Sequence, residues 1–179
     1  FGGGIDLTPF YPQRAQVITF HRELKALCDT HDPAYYEEFK PWCDRYFRLP
    51  HREEMRGVGG IFFDRLNDRP RERLLAFVEA VGLGLRPLYQ PIVEANRHRD
   101  YGPRERDFQL LRRGRYAEFN LLWDRGTRFG ITSGGRTQSI LMSLPPLARW
   151  PYAAEPDAGS EEATLSRIYF QPREWAQAT

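Results

Sequence analysis

The chain has 179 residues, 41% hydrophobic and 28% charged, enough for one globular domain over residues 1–179 that buries roughly two-thirds of its unfolded surface. Twenty-six basic residues against 24 acidic ones leave a net charge of only +2, so there is no global field of the kind that gathers nucleic acid or anionic lipid. Two cysteines, Cys28 and Cys43, make no disulfide framework and fit a reducing, cytoplasmic compartment; no apolar run approaches the ~20 residues that span a bilayer, and no signal-peptide pattern occurs.

In chain order, the opening FGGGIDLTPFYP is a glycine run followed by an acidic residue and two prolines. Val17, Phe20, Leu24 and Leu27 then recur at three- and four-residue steps, predicting an amphipathic helix over 15–28. From Ala34 to Phe47 the aromatics Tyr35, Tyr36, Phe39, Trp42, Tyr46 and Phe47 keep helical spacing, with Pro41 expected to divide the stretch into two short pieces. RGVGGIFFDRLN, residues 56–67, predicts a strand. Beyond Pro70 comes the longest helical pattern, Leu74 to Val93, where Gly82, Gly84, Pro87 and Pro91 predict a bend or break.

A charged helix is expected from Pro103 to Arg113, stopped by Gly114. YAEFNLLWDRGTRFGI, residues 116–131, reads as two strands around an Asp-Arg-Gly-Thr turn. SGGRTQSILMSLPP passes from a turn through a short apolar helix to a double-proline stop. Residues 154–162 read as a surface loop, and Leu165 to Trp175 as a closing helix or extended arm. Strands scattered among helices, without regular βαβ alternation, predict an α+β fold with a mostly antiparallel sheet.

Of the basic residues, 24 are arginine, and only Lys25 and Lys40 are lysine. Arginine is the better planar partner for carboxylates, but codon bias supplies it equally well at surface positions, so the informative arginines are those beside glycines. Asp6 follows Gly2, Gly3 and Gly4; glycines let a flat ligand approach the backbone, and a carboxylate accepts from clustered N–H donors. The same residues also suit a turn capped by Asp6. Arg52 and Arg56 lie one helical turn apart near Gly57, Gly59 and Gly60, placed either to grip substrate carboxylates or to pair with Glu53 and Glu54. Asp124 with Arg125, and Arg136 after Gly134 and Gly135, repeat the theme of charge beside glycine. His21, His31, His51 and His98 have no metal-ligand spacing. No GxSxG, P-loop or dinucleotide fingerprint is present, which removes the usual support for hydrolase and nucleotide chemistry.

FGGGIDLTPFYP, FHRELKALCDTHDPAYYEEFKPWCDRYFRLPHREEMRGVGGIFFDRL, EFNLLWDRGTRFGITSGGRTQSILMSLPPLARWPY and the closing PREW together resemble the oxygen-dependent coproporphyrinogen III oxidases, in the family's order and through nearly the whole chain. The resemblance implies oxidative decarboxylation of two propionates of coproporphyrinogen III to vinyl groups, giving protoporphyrinogen IX in haem synthesis. Molecular oxygen would be the co-substrate, with no cofactor required. It implies a homodimer built on a large antiparallel sheet flanked by helices, and a further N-terminal portion with another GGG-type word.

Carried over to this sequence, the resemblance makes Asp6, flanked by Gly3 and Gly4, the acceptor for pyrrole N–H groups. Arg56 of the RGxGG word, with Gly59 and Gly60, would hold a propionate. It marks Asp124 and Arg125, and matches His21 and His51 to histidines considered for proton handling or a divalent metal. Gln138 stands where the family has glutamate. The rival readings are a tetrapyrrole-binding protein without turnover and a histidine-metal oxygenase.

Overall fold

The computed structural model describes residues 1–179. Its elements are β1 (Gly3–Leu7), α1 (Arg14–Asp29), α2 (Ala34–Tyr46), β2 (Arg48–Leu49), a 3-10 turn (Pro50–Arg52), β3 (Glu54–Met55), β4 (Gly59–Phe63), α3 (Arg71–Asn96), α4 (Pro103–Leu122), α5 (Arg125–Thr132), α6 (Thr137–Leu141), α7 (Glu161–Tyr169) and a second 3-10 turn (Trp175–Gln177). The protein is mostly helical, 58% helix and 8% strand. Its strands form two separate antiparallel pairs, β1 with β4 and β2 with β3. The expected large antiparallel sheet flanked by helices is therefore wrong.

The β1–β4 ribbon pairs Ile5 with Ile61 and Asp6 with Gly60. Because side chains alternate across a strand, Ile5, Ile61 and Phe63 turn to one face while Asp6 and Phe62 turn to the other. On the first face Ile5, Ile61 and Phe63 join Phe20, Leu24, Tyr35, Tyr36, Phe39, Leu74 and Phe77 from α1, α2 and α3 in one buried cluster. A second cluster gathers Val17 and Ile18 of α1, Val58, Phe108 of α4, and Leu165, Tyr169, Phe170 and Trp175 near the C-terminus.

Prolines and glycines expected to break helices do not. α2 runs through Pro41 because Tyr36 and Phe39 before it and Cys43 after it are all buried, so packing on both sides outweighs the hydrogen bond that proline removes. In α3 the buried stripe Leu74, Phe77, Val81, Gly84 and Leu88 is continuous, and Pro87 and Pro91 lie on the exposed side, where water satisfies the freed carbonyls. α4 passes Gly114 and ends at Leu122. Gly114 is a packing position, since a Cβ there would come within 2.7 Å of the Arg149 carbonyl.

The expected hairpin over 116–131 is helical. Asp124 is the N-cap of α5, its carboxylate accepting from the Thr127 amide at 2.6 Å, which satisfies one of the donors a helix start leaves open. The strand expected over 56–67 narrows to Gly59–Phe63, and Arg65 takes a left-handed φ of 54° just beyond it. No helix is long and apolar enough to cross a membrane.

Candidate functional site

Asp6 and Arg56 meet on the face of the ribbon opposite the core. The Arg56 guanidinium donates to Asp6 Oδ2, and the other carboxylate oxygen accepts no hydrogen bond from the protein. The two side chains are 22% and 8% exposed respectively, so the carboxylate opens to the outside while the guanidinium is enclosed. Three rings enclose it: Phe47 at 4.1 Å, Tyr116 at 5.0 Å and Phe119 at 5.2 Å from Arg56 Cζ. Cation–π attraction offsets part of the cost of burying it. Its Nε is buried without a partner, so the Asp6 contact carries much of the balance.

The glycines make this approach geometrically available. Gly60 faces Asp6 across the ribbon, and a Cβ on it would lie 2.0 Å from the Ile5 carbonyl. Gly59 adopts φ +78° and turns toward Asp44, a conformation that favours glycine.

Behind Arg56 lies a ladder of charge on α4. Arg112 is buried, stacked 3.6 Å from the Phe170 ring centre. It donates to Glu54 Oε1 at 2.8 Å and to the carbonyls of Met55 and Arg56 at 3.1 and 3.2 Å. Arg112 thus fixes the backbone that carries Arg56, and burial pulls its pKa downward against the opposing pull of Glu54. Arg115 bridges Glu54 at 3.1 Å and Glu118 at 3.2 Å. Glu118 in turn holds Arg52 through both its oxygens, at 2.8 and 3.0 Å, and His51 Nε2 at 2.8 Å. Burial alone would raise the Glu118 pKa, but the bonds from Arg52 and His51 and the charge of Arg115 hold it down, at about 2.

The histidines are both fully engaged. The Val58 carbonyl can only accept, so His21 Nε2 carries the proton toward it at 3.1 Å and Nδ1 accepts from the Tyr36 hydroxyl at 2.8 Å. His21 is completely buried; burial, helped by Lys40, lowers its pKa to about 3. The Trp123 indole only donates, so His51 Nδ1 accepts from it at 3.1 Å and Nε2 donates to Glu118. Neither ring presents a lone pair to a metal, and no group of three His, Cys, Asp or Glu side chains gathers around either. The residues at His21 and His51 do not fit a divalent ion.

Asp124 and Arg125 connect to Arg56 only through aromatic rings. Tyr46 donates its hydroxyl proton to Asp124 Oδ1 at 2.9 Å and lies under the Arg125 guanidinium at 4.8 Å. The Tyr46 ring stacks on Phe62 at 4.3 Å and meets Phe119, which flanks Arg56, at 5.8 Å. Arg125 itself pairs with Asp64 at 2.5 Å. Gly134, Gly135 and Arg136 link α5 to α6 on the surface, and Gly135 packs on Gly130 and Ile140. Gly3 and Gly4 belong to β1.

Arg112, Arg115 and Glu118 did not stand out in the sequence. Their three-residue spacing puts them on one helical face, a signal hidden by reading Gly114 as a helix end. A cleft of about 610 Å³ lies beside the Leu7–Val17 segment, lined also by Ile92, Asn96, Tyr101 and Gln109. The sequence model of one protein family, described as coproporphyrinogen III oxidase, matches residues 1–175.

Proposed function

The chain belongs to the coproporphyrinogen III oxidase family, an oxidoreductase family of haem biosynthesis, and from that premise we propose that it carries out oxygen-dependent oxidative decarboxylation of two propionates of coproporphyrinogen III, giving protoporphyrinogen IX. The observation that carries this reading is the Asp6–Arg56 pair: a carboxylate with one oxygen held and the other free, raised on a glycine-rich ribbon and open to the outside.

Coproporphyrinogen is a flexible macrocycle with inward N–H donors and peripheral carboxylates. An acceptor-only group is what the N–H donors require, and Asp6 offers its free oxygen to them. Arg56 then acts as the positioning residue for Asp6, and the rings of Phe47, Tyr116 and Phe119 keep the guanidinium flat against it. Removing a hydride equivalent from the propionate β-carbon while carbon dioxide leaves the chain end creates the vinyl group. Dioxygen takes the hydride with one proton, ending as hydrogen peroxide. The pyrrole gains positive character as electrons leave it, and a fixed carboxylate stabilises that charge more in this partly enclosed site than in water.

The reading includes a cytoplasmic setting, which the two buried free thiols support, and a homodimer. The test is turnover of coproporphyrinogen III in air and under strict anaerobiosis, following carbon dioxide and the divinyl product. Product in air alone is expected; equal rates in both atmospheres overturn the assignment. Asp6→Ala should abolish turnover with the fold intact by circular dichroism, and Asp6→Asn separates the charge from the shape.

A further inference from the structure

Two arginines are buried, Arg56 and Arg112, and two more are partly buried, Arg113 and Arg115; all the others are exposed. Three of these four have carboxylate partners, Asp6 for Arg56, Glu54 for Arg112, and Glu54 with Glu118 for Arg115. Arg113 has neither an ion pair nor a hydrogen bond. Its guanidinium sits between two rings, 5.9 Å from Phe10 and 5.7 Å from Tyr116. Arg113 is only partly buried, and with no carboxylate beside it the charge is balanced by water and by the two rings at that range alone.

The position of this unmatched charge is specific. Tyr116 touches both Arg113 and Arg56, at 5.7 and 5.0 Å, so a single ring separates Arg113 from the arginine that holds Asp6. On its other side Phe10 lines the 610 Å³ cleft, together with Arg106 and Gln109. Arg106 and Gln109 lie two turns and one turn before Arg113 in α4 and so share its face. One face of α4 therefore runs from the cleft, past Arg113, to the Asp6–Arg56 pair.

We propose that Arg113 is a carboxylate-binding residue of the substrate site, receiving one peripheral propionate in its planar fork while Asp6 receives the pyrrole N–H groups. The inference rests on the tetrapyrrole reading above. An incoming carboxylate supplies the counter-charge that Arg113 alone among these four arginines lacks, and the flanking rings pack against the apolar edge of the macrocycle.

The test uses oxidised coproporphyrin III, which fluoresces and does not react, and its tetramethyl ester, titrated against the full chain and its Arg113→Gln, Arg113→Lys and Arg73→Lys variants. Losing one charge-assisted contact should weaken binding of the free acid by about ten- to a hundredfold in Arg113→Gln. Arg113→Lys should recover only part of it, since an ammonium cannot reproduce the fork. Binding of the ester should change little, and Arg73→Lys, at the exposed start of α3, should leave both unchanged. In turnover, KM should rise with kcat nearly constant. Equal affinity of Arg113→Gln and the unmodified chain for the free acid overturns the proposal, as does equal weakening toward acid and ester, which would mark a packing role. Should Arg113→Gln fail to fold, Arg113→Lys decides: undiminished affinity for the acid overturns the proposal. If the unmodified chain binds neither porphyrin, the tetrapyrrole reading falls and takes this one with it; if it binds the acid and Arg113 proves indifferent, only the role of Arg113 falls.

Discussion

Residues 1–96 and residues 121–160 are both rich in apolar side chains, yet they fold under different rules. In the first region a two-stranded ribbon is covered by α1, α2 and α3, and Phe20, Leu24, Ile61 and Phe77 are at most 1% exposed. In the second no residue is buried. Leu122, Trp123, Phe129, Ile131, Met142, Leu147, Trp150 and Tyr152 are all exposed, and α5 and α6 pack on each other and, through α5, on α4. Apolar residues at helical spacing become a core only where another element brings a matching face. Where none does, local signals such as the Asp124 cap set the structure, and tertiary packing adds little to its stability.

The largest test of this contrast is a pair of matched truncations. Phe77 is fully buried, with rings of Tyr35 at 4.6 Å, Phe63 at 5.1 Å and Phe39 at 5.9 Å. Phe77→Ala should cost about 3–5 kcal/mol through lost burial and the cavity left behind. Phe129 is 72% exposed, and Phe129→Ala should cost less than about 0.5 kcal/mol. Chemical denaturation of both variants checks the difference; comparable costs would mean that the second region has a core of its own.

A pH series sharpens the same contrast, because the buried titrating histidine lies only in the first region. The folded His21 pKa, about 3 against an ordinary 6.5, is depressed, so the unfolded chain binds the proton more readily. The stability this group contributes is complete above about pH 6.5 and is lost as the pH falls toward 3, at up to about 1.4 kcal/mol per unit. His21→Gln should flatten the profile between pH 6.5 and 4.5. Below 4.5 a second loss is expected from Glu118, whose depressed value of about 2 makes its contribution present above the ordinary carboxylate range and lost as the pH falls through 2. An unchanged slope in His21→Gln would place the acid sensitivity elsewhere.

Gly60 in the first region and Gly134 in the second are required for different reasons. Gly60→Ala drives a methyl group into the Ile5 carbonyl, 2.0 Å away, and should cost about 3 kcal/mol or more, since the ladder backbone cannot move aside. Gly134 has φ +74° with nothing within 4 Å, so Gly134→Ala should cost only the left-handed conformation itself, about 1–2 kcal/mol. Thermal unfolding of the two variants reads the difference, and a Gly60 cost no greater than that of Gly134 would show that the ribbon yields.

Much of the first region was legible because its signals are local and mutually consistent. The Val17–Phe20–Leu24 stripe gave α1, the apolar series from Leu74 gave α3, and the branched and aromatic run after Gly59 gave β4. Breakers misled wherever packing outweighs them, at Pro41, Pro87 and Gly114. The 116–131 hairpin failed for the opposite reason. Its alternation of aromatic and branched residues makes a strand only when a partner strand is present, and without one the Asp124 cap selects a helix. In the site, the importance of Asp6 and Arg56 was visible from their glycine context, but their pairing was not, because fifty residues separate them and only the ribbon register brings Gly60 opposite Asp6.

The smallest expected effect lies at the edge of the charge ladder, where the first region gives way to the second. Arg52 grips Glu118 with two hydrogen bonds, at 2.8 and 3.0 Å, yet its side chain is 40% exposed, and water competes for both partners. Glu118 also keeps His51 and Arg115, so removing Arg52 leaves the carboxylate matched. A double-mutant cycle of Arg52→Ala with Glu118→Gln should give a coupling below about 1 kcal/mol, shrinking as salt is raised past physiological strength. The same cycle on Arg112 and Glu54 should give a larger coupling that salt barely moves, because the Arg112 side chain is only 2% exposed; its loss leaves Glu54 with Arg115 alone and strands two backbone carbonyls. Equal, salt-sensitive couplings for the two pairs would mean that water reaches Arg112 as freely as it reaches Arg52, and the backbone of Arg56 would then rest on its amide bond to the Phe47 carbonyl rather than on Arg112.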